Sequence, residues 1–470
     1  MSRKRVAPMD AMFLYGETRE TMMHVAGLMP FTPPADAGPD FLRLLMEEIR
    51  HTVGVQPPWN LKLGTPGFLR NPLHTWVEDK NLDIEYHVRR SALPSPGGER
   101  ELGVLVSRLH SNQMDFSRPP WEMHLIEGLE GGRFALYIKI HHALVDGYTG
   151  ARVIANMLSR DPDERGKPLF FTQPPLRRAP RTETPVAEFG SVLQAVATRW
   201  GSAKIVGKAM LNLRRSARDE VDQLVSSLQA PRSILNGRIN RNRRFATQQY
   251  SLKRLKALGK ATGATLNDVV LALCAGGLRR FLQELGELPD KPLVAFLPVN
   301  VRPKGDPGGG NAVGAMLASL GTDIADPLER LDAIVASTRR GKAQMENMSA
   351  GAIIAYSGLL MAPAGLQSFN AMTGLRARLP LTFNVCVSNV PGPSEPLYFR
   401  GARLEASYPV SIPGHGMALN ITCQSYADTL NFGFIGCRDT LPHLQKLAVY
   451  TGEALEELEA AVMTRSPALA

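Results

Sequence analysis

The chain has 470 residues, of which 44% are hydrophobic and 21% are charged. This composition excludes a disordered chain, and the length exceeds what one hydrophobic core usually supports, so we expect two domains. The net charge of +10 is concentrated in residues 160–244, which contain 17 Lys or Arg and eight Asp or Glu. A basic stretch favours anionic partners, but no zinc-finger or RNA-binding pattern accompanies it, so nucleic acid is not expected as a partner.

Residues 1–158 predict an N-terminal domain of mixed helices and strands. Residues 39–53 and 99–114 have apolar side chains at helical spacing. Residues 121–142, "WEMHLIEGLEGGRFALYIKIHH", predict two strands joined by a turn around two adjacent glycines. The N-terminus is basic but has no apolar run of the length that a secretory signal needs, so secretion is not expected.

Residues 159–235 predict a basic crossover between the domains. Its first part is dense in proline and arginine, which is typical of a linker or surface connection. Residues 186–215 predict a basic amphipathic helix, weakened by Gly201 and Gly207. Two interpretations of this helix stay open: a surface helix packed on a domain, or a helix that lies on a membrane with its cations towards anionic headgroups.

Residues 236–470 predict a second mixed domain. The patterns indicate a helix at 267–285 and strands at 244–252, 293–302, 383–393 and within 419–437.

Residues 352–372 are strongly apolar but are broken by Ser, Pro, Gln and Asn, so they predict a pair of helices and no membrane-spanning helix. The four cysteines lie far apart in apolar stretches and form no CxxC pair, which indicates core residues in a reducing compartment.

Two adjacent histidines end the predicted strand "RFALYIKIHH". Side chains alternate between the faces of a strand, so His141 and His142 are expected to point in opposite directions and to be poor ligands for one metal ion. No other spacing supports a zinc site, and no metal is expected. His142 continues the apolar face of Ile138 and Ile140, where partial burial favours the neutral imidazole, which can accept a proton. A buried, hydrogen-bonded histidine with no catalytic role is the alternative.

Asp146 and Gly147 follow the histidines at a fixed distance. Asp146 is expected either to orient the imidazole or to anchor the turn through an arginine elsewhere. Gly147 suits a turn that needs a positive φ or a close approach of the backbone. A helix is expected to begin directly after it.

The spacing HHxxxDG resembles the motif of CoA-dependent acyltransferases of the chloramphenicol acetyltransferase type and of peptide-synthetase condensation domains. Further stretches occur in the matching order: "PMDAMFLYGETRETMMHVAGL", "PPWEMHLIEGL", "TLNDVVLALCAGGLRRFL", "PVNVRP", "VSNVPGP" and "GCRDTLP". Together they resemble the bacterial bifunctional wax ester synthase/acyl-CoA:diacylglycerol acyltransferases over residues 8–457. The resemblance implies an α/β, two-domain chloramphenicol-acetyltransferase-like fold, with mixed sheets flanked by helices and an active-site tunnel between the domains.

The resemblance also implies roles for the motif residues. His142 looks like the general base that takes the proton of an acceptor hydroxyl as its oxygen attacks an acyl-CoA thioester. His141, Asp146 and Gly147 would shape the site, and Asp146 would pair with Arg302. Asn267, at the start of a helix, would donate to the developing oxyanion, although capping of that helix together with Thr265 is an equal alternative.

The implied co-substrate is acyl-CoA, with no permanently bound cofactor, and the acceptor is a long-chain alcohol or diacylglycerol. We expect a cytoplasmic protein, monomeric or dimeric, attached peripherally to the inner membrane face or to lipid inclusions. One alternative is a related CoA-dependent acyltransferase for another alcohol, and a carrier-dependent condensation domain is less favoured. Another is a non-catalytic lipid-binding protein with the same fold.

Overall fold

The computed structural model describes residues 4–174, 229–300, 313–346, 348, 350–373 and 381–465. Within residues 4–174 the helices are α1 (Pro8–Gly16), α2 (Phe41–Arg50), α3 (Ile84–His87), α4 (Glu99–His110) and α5 (Gly147–Asn156). The strands of the same part are β1 (Lys4–Arg5), β2 (His24–Thr32), β3 (Leu61–Leu63), β4 (Thr75–Glu78), β5 (Val88–Ala92), β6 (Trp121–Glu127) and β7 (Phe134–His141).

The described residues after 228 contain a second set of elements. Their helices are α6 (Leu252–Thr262), α7 (Leu266–Glu284), α8 (Pro327–Glu346), α9 (Ala350–Thr373) and α10 (Gln445–Arg465). Their strands are β8 (Arg243–Ser251), β9 (Val294–Asn300), β10 (Val313–Ser319), β11 (Val385–Val390), β12 (Tyr398–Phe399), β13 (Ala402–Leu404), β14 (Tyr408–Val410), β15 (Leu419–Tyr426) and β16 (Thr429–Cys437).

Two large mixed sheets organise the described part of the chain. The first has the order β12-β13-β2-β7-β6-β5, with β14 also paired to β2, and the second has the order β10-β9-β11-β15-β16-β8. Each contains parallel and antiparallel pairs, and helices pack against them, which confirms the predicted α/β class. A third, small sheet has the order β1-β4-β3.

The first sheet takes strands from both ends of the chain. Strands β12, β13 and β14 come from the stretch 398–410 and complete this sheet through pairs with one another and with β2. The two sheets are therefore connected by the backbone, which passes from one sheet to the other, in addition to side-chain packing. The predicted boundary at residue 236 assigns residues 398–410 to the second domain. In the structure, these residues contribute strands to the first sheet.

The hairpin that carries the two histidines has the predicted form. Strands β6 and β7 pair antiparallel, and the turn between them contains Gly131 and Gly132 with φ of 75° and 71°. Left-handed backbone of this kind is open to glycine at little cost, which explains the pair of glycines in the sequence. Strand β7 is buried along its whole length, with β2 on one side and β6 on the other.

The apolar stretch 352–372 forms the single helix α9, so the prediction of a helical pair is wrong. Pro363 lies inside this helix and interrupts its hydrogen bonding. Polar side chains anchor the helix on both sides of the proline. The Ser357 hydroxyl accepts from the Ala315 N–H at 2.7 Å and donates to the Ile353 carbonyl of the same helix, and Gln367 accepts from the Thr382 N–H at 2.9 Å. These anchors hold the two halves to the second sheet as one helix.

Among the described residues, no single helix combines the length and apolarity that crossing a membrane requires, although the bent pair α6 and α7 passes that test by length and composition alone. Helix α7 is mostly buried in the core of the second sheet. The predicted amphipathic helix at 186–215 lies outside the described residues.

Candidate active site

A cavity of about 810 Å³ lies between the two large sheets. Strands β2, β7 and β14 contribute one wall, and β9, β10, β11 and β15 contribute the other. The wall is largely apolar and includes Met29, Ile138, Ile140, Phe296, Met361 and Val410. A cavity of this size and character suits a long hydrocarbon chain better than a polar metabolite.

His142 lies on the wall of this cavity, one residue beyond the end of β7. Its backbone N–H donates to the Met23 carbonyl at 2.9 Å, which fixes the chain as it leaves the sheet. Its ring stacks on Phe13 of α1, with 4.0 Å between ring centroids and an angle of 21° between planes. Helix α1 therefore positions the imidazole from the side.

The two histidines face opposite sides of the strand, as predicted. Ile138, Ile140 and His142 line the cavity, whereas His141 is fully buried on the other face against the edge of Phe116. The Ala143 N–H donates to Nδ1 of His141 at 3.2 Å, which assigns the proton of that ring to Nε2. His141 thus supports the turn and does not enter the cavity.

Burial lowers the pKa of His142 to about 4, against an opposing pull from the Asp146 carboxylate. The imidazole is therefore neutral at physiological pH. Its Nδ1 is buried and has no hydrogen-bond partner among the described residues. A neutral imidazole on the wall of an apolar cavity can accept a proton from a bound hydroxyl group.

Asp146 is the N-terminal cap of α5. Its carboxylate accepts from the Thr149 N–H at 3.0 Å and from the Thr149 hydroxyl at 2.7 Å, and the residue is 8% exposed. The cap fixes the turn that separates His142 from the helix. Arg302, the predicted partner of Asp146, lies outside the described residues, so that ion pair stays a prediction.

Gly147 is the first residue of α5 and lines the cavity. Its φ is not positive, so that explanation for the glycine is wrong. A Cβ built at this position would meet no described protein atom within 4 Å. The glycine therefore leaves space in the cavity, and the predicted close approach to its backbone stays a prediction.

Asn267 is half-buried in the first turn of α7. The cap of this helix is formed by its neighbours: Thr265 and Asp268 form a capping box, and Thr338 donates to the Asp268 carboxylate at 2.6 Å. The described residues that line the cavity do not include Asn267. Its role as an oxyanion donor stays a prediction.

Sequence reasoning missed Glu17, a buried carboxylate that joins several parts of the site. Its side chain accepts hydrogen bonds from the Met23 N–H and from the Gln113 amide, the latter at 2.9 Å. Its Oε2 also lies 3.5 Å from Nε2 of His141. Glu17 therefore lies between His141 and Met23, the residue whose carbonyl accepts from the His142 N–H. The sequence around Glu17 resembles that of the family, but no local pattern in it predicts that the carboxylate is buried.

The opposite wall contains the turn after β11. Pro391 and Gly392 of this turn line the cavity, as does Asn389 near the end of β11. A Cβ at Gly392 would lie 2.0 Å from the Ser425 carbonyl oxygen, so only glycine fits this close approach of two chain segments. The described residues contain no group of three or more His, Cys, Asp or Glu that could hold a metal ion.

Comparisons with known proteins identify the family. The profile of the wax ester synthase/diacylglycerol acyltransferase catalytic domain matches residues 6–270, and that of the corresponding C-terminal domain matches residues 309–459. A putative diacylglycerol O-acyltransferase of Mycobacterium tuberculosis is 56% identical over 97% of each chain.

Solved structures agree with this assignment. The wax ester synthase/diacylglycerol acyltransferase of Marinobacter aquaeolei VT8 is 41% identical, with a TM-score of 0.79 over 98% of this chain and 99% of that chain. The first condensation domain of the CDA synthetase, at 14% identity and a TM-score of 0.56 over 98% of this chain and 96% of that chain, shares the fold alone. The chain therefore belongs to the wax ester synthase/diacylglycerol acyltransferase family and is an O-acyltransferase of that family.

Proposed function

We propose that the protein transfers a long-chain fatty acyl group from acyl-CoA to the hydroxyl group of a fatty alcohol, of diacylglycerol, or of both, for storage-lipid synthesis. The observation that carries this proposal is the placement of a neutral, half-buried His142 on the wall of a large apolar cavity. Acyl-CoA is the co-substrate, and the reaction requires no permanently bound cofactor.

The proposed chemistry is direct transfer. Because Nδ1 of His142 is buried, Nε2 is the nitrogen left to face the substrate. It accepts the hydroxyl proton as the alcohol oxygen attacks the thioester carbonyl. The carbon–sulfur bond then breaks, the imidazolium returns the proton to the sulfur, and the products are an oxygen ester and free CoA. A positioned base of this kind contributes about 10²–10⁴-fold to the rate.

We assign supporting roles to the other motif residues. Asp146 keeps the turn after His142 in place through its helix cap and through a proposed ion pair with Arg302. His141 braces the same turn from the opposite face of the strand. Asn267 is proposed to donate to the oxyanion of the tetrahedral intermediate.

The two substrates are proposed to reach His142 from opposite ends of a tunnel that includes the described cavity. CoA would enter at one end and the lipid acceptor at the other. The enzyme is proposed to act at the inner membrane face or at lipid inclusions, as a monomer or a homodimer. The basic crossover, residues 159–235, is one proposed contact with anionic lipid.

Product analysis tests the proposed function. Radiolabelled palmitoyl-CoA would be incubated with the protein and hexadecanol, diacylglycerol or no acceptor, and the lipid products separated by thin-layer chromatography. We expect labelled wax ester, triacylglycerol or both, only with the matching acceptor. Folded protein that forms neither ester would overturn the proposal and direct the search to other alcohols.

The pH dependence of the reaction follows from the burial of His142. Its neutral form is the active base, and a pKa of about 4 leaves about nine-tenths of it neutral even at pH 5. We therefore expect kcat/KM to be flat from pH 8 to pH 6 and to fall only on the acid side, well below the ordinary histidine pKa. Circular dichroism at each pH separates this loss from unfolding, which acid also favours because the unfolded histidine binds protons more readily. A fall in kcat/KM centred near pH 6.5 in folded protein would contradict the assignment.

The space beside Gly147 predicts a separation of stability from activity. In Gly147→Ala the new methyl group meets no described protein atom but enters the cavity. We expect unchanged or slightly higher thermal stability, since alanine favours helix, together with about a tenfold loss of kcat/KM, the effect of one methyl group in a closely fitted pocket. Gly365→Ala is the matched control, because Gly365 is an exposed helical glycine that does not line the cavity. Equal activity of the two variants would show that no substrate approaches Gly147.

A further inference from the structure

Three large apolar side chains are exposed on helix α1 and on a loop that adjoins it. They are Met12 of α1, at 62% exposure, and Phe68 and Leu73 of the loop between β3 and β4, at 58% and 63%. Phe68 is the one aromatic residue among the exposed large hydrophobic residues of the described chain. Met12 lies one helical turn before Tyr15, whose hydroxyl donates to the Asn71 carbonyl at 3.4 Å, so the helix and the loop adjoin.

The loop holds its two apolar side chains outward by specific bonds. Nε2 of His74 donates to the Leu69 carbonyl at 2.8 Å, and the Asn71 amide donates to the Thr65 hydroxyl at 2.9 Å. Leu69 packs into the small core beside β4. Leu69 is partly buried and His74 is buried, so these bonds hold the loop in a conformation that leaves Phe68 and Leu73 exposed.

Exposed cations lie beside these apolar side chains, and acidic residues are also near: Asp10 in α1, and Glu78 and Asp79 after the loop. Residues 61–77 contain Lys62 and Arg70 but no Asp or Glu. Exposed Lys4 and Arg5 form β1, which pairs with β4 directly after the loop. Lys62 is paired with Asp79, whereas Lys4, Arg5 and Arg70 have no ion pair within 4.0 Å among the described residues. We call Met12, Phe68, Leu73, Lys4, Arg5 and Arg70 the N-terminal platform.

The platform adjoins the catalytic histidine. Phe13, the residue after Met12, forms part of the cavity wall and stacks on His142. Helix α1 thus carries both Met12 of the platform and Phe13 of the cavity wall, and an α-helix with its side chains is about 10 Å across. A lipid surface in contact with Met12 would therefore lie within one helix diameter of the reacting atoms.

We propose that the N-terminal platform docks on an anionic lipid surface and thereby brings the lipid acceptor to the cavity. Apolar side chains flanked by cations are the combination that inserts into the headgroup region of such a surface. An acidic protein partner would match the cations but not the protruding phenylalanine, and an uncharged apolar partner would leave the cations unpaired. The proposal rests on the proposed function for its purpose, while the docking itself is measured without turnover.

Vesicle sedimentation tests the proposal with the full chain. Vesicles would contain phosphatidylcholine alone or with about 30% phosphatidylglycerol. One variant is Phe68→Ser/Leu73→Ser and the other is Arg5→Gln/Arg70→Gln. Matched controls are Val449→Ser/Met463→Ser, which removes exposed apolar residues of α10, and Lys253→Gln/Lys256→Gln, which removes exposed cations of α6. Turnover of a short, water-soluble alcohol without vesicles checks that each variant is folded and active.

We expect the apolar variant to lose about tenfold or more in partition onto anionic vesicles, and the charge variant about fivefold for each cation removed. The controls are expected to bind as the wild type does. Undiminished binding by both platform variants would overturn the proposal and leave the crossover as the docking element. Absence of turnover in the wild type would overturn the proposed function, while the vesicle data would still decide the docking.

Discussion

Replacing His142 by alanine is expected to lower acyl transfer by about 10²–10⁴-fold while the protein stays folded. The loss is expected because this side chain, on the cavity wall, is the proposed base. The backbone bond from the His142 N–H to Met23 does not depend on the side chain and remains in the variant. Release of free CoA from palmitoyl-CoA, followed with a thiol reagent in the presence of hexadecanol or diacylglycerol, measures the effect.

Two further variants make this result specific. His142→Gln keeps much of the ring's volume and polarity but cannot act as a base, so it is expected to be as inactive as the alanine variant. His415→Gln changes another buried histidine whose pKa is lowered by burial but which does not line the described cavity. It is expected to retain activity. A folded His142→Gln protein with wild-type turnover would exclude His142 as the base.

Replacing Asp146 by alanine is expected to be the most destabilising change in the motif. It removes a helix cap, which costs about 0.5–2 kcal/mol in the free energy of unfolding. It also leaves Arg302 unpaired if the proposed ion pair exists, which costs about 3–5 kcal/mol more. Chemical denaturation followed by circular dichroism measures the total.

The asparagine variant separates the two contributions. Asparagine caps a helix about as well as aspartate, so Asp146→Asn is expected to keep the cap and to lose only the ion pair. A large loss of stability in both variants supports the pair with Arg302. If Asp146→Asn has wild-type stability and Asp146→Ala shows only a modest loss, then Asp146 acts as a helix cap alone and does not pair with Arg302.

The histidine geometry could be predicted from the sequence because it is a local property. A strand places alternate residues on opposite faces, so the position of His142 beside Ile138 and Ile140 followed from spacing alone. The hairpin β6–β7 and the helix α7 were also predicted from periodicity and turn residues. The family resemblance added the chemistry, which periodicity does not contain.

The features that the sequence analysis missed depend on contacts between distant parts of the chain. Glu17 becomes a site residue because the fold brings Gln113 and His141 to it. Strands β12–β14 join the first sheet, although nothing local distinguishes them from the neighbouring strands of the second. Helix α9 continues through Pro363 because tertiary hydrogen bonds on both sides outweigh the local preference for a break.

Rapid-quench analysis of the first turnover distinguishes direct acyl transfer, with His142 as the base, from transfer through a covalent acyl-enzyme. Wild-type protein at a concentration near that of labelled palmitoyl-CoA would be mixed with or without hexadecanol or diacylglycerol. Direct transfer predicts no burst of CoA without an acceptor, and equal amounts of CoA and ester with one. A stoichiometric burst of CoA without acceptor, with the label retained on the denatured protein, would show a covalent acyl-enzyme and contradict the mechanism.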